Sequence, residues 1–178
     1  VFMENDIFGM SLEATGLIGA ARWDESGKRC DSGWLKSATL TEVQAEVDGG
    51  ADVNAQSKNG LTPLHQAPTV EIFRVLLRAG ADINVRNEYG ATPLHSARTP
   101  EIVQALLGAG ANINARDRGG ATPLHKAYTP EIVRTLLEGG ADIDVRNEYG
   151  RTPLSLGFEP DVVFEKKPPE IIRLLLDA

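Results

Sequence analysis

The sequence predicts an all-α solenoid of stacked helix–turn–helix units joined by short hairpin loops. The first observation is the segment Gly60–Ala67, Gly-Leu-Thr-Pro-Leu-His-Gln-Ala, which returns at Gly90–Ala97 and Gly120–Ala127 in steps of thirty residues. A fourth, worn copy at Gly150–Gly157 carries Ser155 in the histidine place. The second observation is Leu-Leu-x-x-Gly-Ala-(Asp/Asn)-Ile-(Asn/Asp) at 76–84, 106–114 and 136–144, with a looser copy at 47–54. Self-similarity at a fixed period of this size marks a stacked architecture. One such unit cannot bury its own apolar face, so the 178 residues form one array rather than separate domains. A stack of this kind builds a surface rather than a cavity.

Each unit opens on a helix start. Thr62-Pro63, Thr92-Pro93 and Thr122-Pro123 pair a capping threonine with a proline, which at the first helical position has no N–H to leave orphaned. Leu64, Leu94 and Leu124 share a face with Ala67, Ala97 and Ala127. This first helix is short, because Thr99-Pro100-Glu101 and Thr129-Pro130-Glu131 soon repeat the same device, as Thr69-Val70-Glu71 does without proline. The second helix carries Ile72, Phe73, Leu76 and Leu77, then Ile102, Val103, Leu106 and Leu107, then Ile132, Val133, Leu136 and Leu137. That stripe is broad enough to touch both neighbours. Gly80, Gly110 and Gly140 stand where a left-handed residue ends the helix. The turn-rich stretch that follows, ending in Gly90, Gly120 or Gly150, reads as a projecting loop or hairpin.

Thr-Pro-Leu-His-x-Ala, two short helices, then Gly-Ala-Asp-x-Asn and a turn: this pattern resembles the ankyrin repeat over roughly residues 34–178. The period departs from the usual 33 residues, and the shortening falls between Ala97 and Glu101. The expectation is a first helix short by most of a turn or a tightened link between helices, with a shallower groove wall. The compact unit is also similar to many prokaryotic ankyrin sequences. The reading divides the chain into a non-repeat N-terminal segment, 1–33, and a repeat domain, 34–178. The domain comprises a degenerate repeat at 34–60, repeats at 61–90, 91–120 and 121–150, and a C-terminal capping repeat at 151–178.

The terminal units are the atypical ones. Trp34–Ala38 followed by Thr41–Val47 fits a degenerate first unit, with Glu46 where the others carry leucine. At the other end Pro169–Leu176 carries a complete apolar stripe but arrives nine residues late, so Phe158–Lys167 is expected to be an inserted loop or a longer first helix; Pro160-Asp161 is a competing start. Residues 1–33 are expected to cap the first unit, with Met10, Leu12 and Ala14 alternating as in a strand. Leu17–Ala21 is too interrupted by nearby acids to read as an intact targeting segment, and Val1 is not an initiator methionine.

Composition narrows the function classes. With 18 basic and 25 acidic residues the net charge is −7, opposite to what phosphate backbones reward, so no nucleic-acid partner is expected. No apolar run reaches the ~18 residues of a membrane span. Cys30 is the single cysteine, so no internal disulfide forms and the compartment is unread from it; a soluble, cytoplasmic monomer is the expectation.

His65, His95 and His125 form a line that suggests metal, but stacked units stand roughly 10 Å apart and zinc–imidazole bonds are about 2 Å. The ankyrin resemblance implies instead that each histidine hydrogen-bonds backbone of the adjacent unit. Asp52, Asp82, Asn112 and Asp142, with Asn54, Asn84, Asn114 and Asp144, drift between acid and amide and lack calcium-loop spacing, so turn hydrogen bonding explains them better. There is no phosphate loop, no nucleophile elbow and no nucleophile with a base near it in sequence. No catalytic, cofactor or metal residues are therefore expected.

What varies between units is more telling. In ankyrin repeats the tips and first helices form the concave face that meets partners, which implies here Lys58, Arg86, Glu88, Tyr89, Arg116, Arg118, Lys126, Tyr128, Arg146, Glu148, Tyr149 and Arg151. Arginine and tyrosine offer large contact area with a polar handle. Tyr89 and Tyr149 are the expected anchors, Tyr128 lies deeper, and Arg86, Arg116 and Arg146 make an evenly stepped basic line. The reading is a non-catalytic protein-interaction module for a polar protein surface or an acidic peptide. The rivals are an inhibitor or immunity-type protein that blocks one enzyme, the binding part of a longer catalytic protein, and a plain spacer.

Overall fold

A computed structural model describes residues 35, 38–155 and 168–178. The proposed N-terminal cap, most of Trp34–Ala38 and the Phe158–Lys167 insertion lie outside the described residues. The described residues form helices in two layers and contain no strand. One layer stacks the short first helices Pro63–Gln66, Pro93–Ser96 (a 3₁₀ turn) and Pro123–Lys126. The other stacks the second helices Leu40–Asp48, Val70–Arg78, Pro100–Gly108, Pro130–Glu138 and Pro169–Leu176.

The first helices are a single turn because the chain turns extended immediately afterwards. Ala97, for example, has φ −62° and ψ 130°, and Thr99 is already the cap of the next helix. The shortened period thus yields both a clipped helix and a two-residue link. Thr69, Thr99 and Thr129 accept the N–H of Ile72, Ile102 and Ile132, each at 3.3 Å. In the degenerate first unit Thr39 and Glu42 close a reciprocal capping box. At the helix ends Gly80, Gly110 and Gly140 take φ of 88°, 91° and 88°, which lets the next amide return to the helix, as Ala81 N–H does to Leu76 O at 3.0 Å.

The core runs between the layers as one cluster. Phe73, Leu76, Val103, Leu106, Val133 and Leu136 are essentially inaccessible, and the first-helix leucines 64, 94 and 124 face them. Leu77, Leu107 and Leu137 are only half-buried, at the margin of the stripe. The two terminal second helices bury fewer residues than the inner ones. In Leu40–Asp48 only Val43 is buried, and in Pro169–Leu176 Ile171 and Leu175 are buried while Leu176 is exposed. The helix at Pro169 follows the later of the two candidate starts.

Candidate partner-binding face

Inter-unit hydrogen bonds set the geometry of the face. The Thr62 N–H donates to His65 Nδ1 at 3.2 Å, with Thr62 Oγ1 3.0 Å from the same nitrogen. Because Nδ1 accepts a backbone N–H, the proton sits on Nε2, which donates to Ala91 O of the next unit at 3.1 Å. The pattern recurs with Thr92, His95 and Ala121, and with Thr122, His125 and Arg151, at 2.9–3.1 Å. Burial lowers the pKa of His65 and His95 below the ordinary histidine value, opposed by the hydrogen bond to the neighbouring carbonyl. The histidines are therefore structural clasps, as the resemblance implied. Among the described residues Ser155 keeps the local half of this device, accepting from Thr152 N–H and donating to Thr152 O.

The Asp/Asn pairs carry a second ladder. The local half was legible: Asn54, Asn84, Asn114 and Asp144 N–H donate to side-chain oxygens two residues back, at 2.9–3.0 Å. The other half was missed. The amide oxygens of Asn54, Asn84 and Asn114 accept the N–H of Asp82, Asn112 and Asp142 in the following units, at 2.7–3.2 Å. The signal was there, since asparagine holds the inner position in three units while the outer one drifts.

The hairpin tips are stitched as well. Glu88, Arg118 and Glu148 donate their N–H groups to Asn59, Tyr89 and Gly119 O, at 2.8–3.0 Å. Within each tip Asn87, Asp117 and Asn147 accept two N–H groups through one side-chain oxygen, at 2.8–3.0 Å. Gly90 has φ 73°, and a Cβ on it would stand 2.9 Å from Arg118 N, so the next tip packs directly on it.

The basic line is also part of this stitching. Arg86 donates to Gly90 O at 2.8 Å and to Arg116 O at 2.6 Å, Arg116 donates to Arg146 O at 2.8 Å, and Arg146 to Gly150 O at 3.0 Å. All three residues are exposed; Arg86 and Arg116 act as staples between units, while Arg146 closes its own tip.

The aromatic candidates stand out from the surface. Tyr89 is 65% exposed, Tyr149 78% and Tyr128 53%. Tyr128 alone is held by its hydroxyl, which donates to Arg98 O at 3.1 Å. Arg151 lies over the Tyr149 ring at 5.8 Å. Lys126 reaches toward Asp117, 3.8 Å away. Lys58, Glu88, Arg118 and Glu148 are exposed on the same tips. Charge is segregated between the two sides of the stack. Among the described residues, the tips and first helices carry Lys58, Arg86, Arg98, Arg116, Arg118, Lys126, Arg146 and Arg151, against three acids, Glu88, Asp117 and Glu148. The second helices and the loops after them carry four basic residues, Arg74, Arg78, Arg134 and Arg173, and the larger share of the acids.

Among the described residues no group of histidine, cysteine or carboxylate side chains is placed to hold a metal ion, and no helix is long and apolar enough to cross a membrane. No curated protein matches the chain. A family model described as ankyrin repeats (3 copies) matches residues 36–117 and again residues 96–178. With the repeated clasps, the paired helices and this match over most of its length, the chain belongs to the ankyrin-repeat family.

Proposed function

We propose that the chain is a non-catalytic, monomeric module that binds a partner protein through its hairpin tips and first helices, without metal, cofactor or nucleic acid. Ankyrin repeats generally mediate protein–protein interaction, and the observation that carries the reading for this chain is the pairing of exposed tyrosines with segregated charge. Tyr89, Tyr128 and Tyr149 stand on the side that is basic, while the chain as a whole is acidic. Large aromatic side chains left in solvent beside cations are the composition of an interface rather than of a solvated turn. Glu88 and Glu148 interrupt the positive field, which favours a patterned protein surface over a phosphate backbone.

The test is the double change Tyr89→Ala and Tyr149→Ala, titrated against the partner recovered with the wild-type chain. Each truncated anchor is expected to cost about 1–2 kcal/mol of binding, while the thermal melt stays at the wild-type position. Undiminished affinity in the double variant refutes the proposed face.

A further inference from the structure

Position 89 is tyrosine, position 149 is tyrosine, and the equivalent position between them is Gly119. The three are held in register by the tip ladder, since Tyr89 O accepts Arg118 N–H at 2.8 Å and Gly119 O accepts Glu148 N–H at 2.9 Å. They also share one local geometry: each N–H donates to the side-chain oxygen two residues before it, at 2.9–3.0 Å. The missing side chain therefore leaves a notch between two exposed rings. Surface depressions open on both sides of Gly119, one reaching Tyr89 and Arg118, the other Tyr149 and Arg151, and Lys126 lines both.

Resting on the protein-binding reading above, we propose that this trough receives an extended acidic segment of the partner, with an Asp or Glu side chain seated over Gly119. The cations Arg118, Lys126 and Arg151 supply the complementary charge, and Tyr89 and Tyr149 flank the segment. The two acids on the trough, Asp117 and Glu88, offset two of these three charges and leave it with one net positive charge: Asp117 accepts two backbone N–H groups through one oxygen and turns the other toward Lys126, and Glu88 stands at the rim. At roughly 10 Å per unit the rings stand about 20 Å apart, the length of about six extended residues.

Gly119 makes the proposal testable without dismantling the fold. Its φ is not positive, and a Cβ there meets nothing closer than Asp117 Oδ1 at 3.5 Å. Gly119→Tyr therefore writes into the third tip the residue its neighbours already carry, and fills the notch. The probe is a library of random peptides displayed on phage, selected on the full chain, with a single-stranded oligonucleotide as a parallel ligand. The expected result is enrichment of peptides bearing Asp or Glu. Their affinity falls at least about tenfold in Gly119→Tyr and in Lys126→Glu, with unchanged melting. Peptides that bind Gly119→Tyr undiminished overturn the notch; if those peptides still require Tyr89 and Tyr149, the tip face stands without it. Enrichment of non-acidic peptides, no enrichment, or preference for the oligonucleotide likewise overturns it.

Discussion

Replacing His65 by serine imitates what the chain itself does at Ser155. The serine hydroxyl retains the contacts with Thr62, as Ser155 does with Thr152, and loses the reach to Ala91. The lost hydrogen bond is worth about 1 kcal/mol net. No carbonyl is orphaned, because Ala91 O still accepts Asn87 N–H at 3.0 Å. The imidazole is only 6% exposed, so removing most of it costs about a further 1–2 kcal/mol in lost packing. The sum, about 2–3 kcal/mol, is read by urea titration at pH 8, where the ring is neutral. A loss under about 0.5 kcal/mol refutes the clasp. Protonation sharpens the test. Burial lowers the folded pKa of His65 beneath its ordinary 6.5, so the unfolded chain binds the proton better. The stability it contributes is fully present above pH 6.5 and is lost as pH falls from there toward the lower folded value. The gap between wild type and His65→Ser should therefore narrow on acidification, and a gap that widens contradicts the neutral Nε2–H clasp.

Two further predictions concern the joints between units. Gly80→Ala meets open space and pays only for its left-handed backbone, about 1–2 kcal/mol. Gly90→Ala adds a 2.9 Å approach to Arg118 N, so its thermal melt should fall further than that of Gly80→Ala, and equal losses disprove the close packing of tips. Asn84→Ala removes the acceptor for Asn112 N–H across the joint and should cost about 1 kcal/mol, with faster amide exchange at Asn112 than in wild type.

Much of the fold was readable because its signals are local. A threonine before proline, a leucine pair one helical turn on and a glycine at the left-handed position each act within one unit, and each landed where its chemistry requires. The histidine came from the family pattern, and the structure supplied its carbonyl. What escaped were contacts between residues 26 to 30 apart, where the sequence shows one partner of the hydrogen bond but not the other. Asn84 could be placed in a turn yet not across the joint, and Arg86, read as a binding residue, is tied to Arg116 O. Gly119 was visible as a departure from its neighbours, but a gap acquires meaning only once the flanking rings are known to stand in register.

The central claim is that one side of the stack, the tips and first helices, meets the partner. A photo-crosslinking amino acid installed at Tyr149, and separately at Arg74 on the second-helix side, tests it most directly by mass spectrometry of the adducts formed with the partner. The account predicts an adduct from position 149 and none from position 74. The reverse pattern would contradict it.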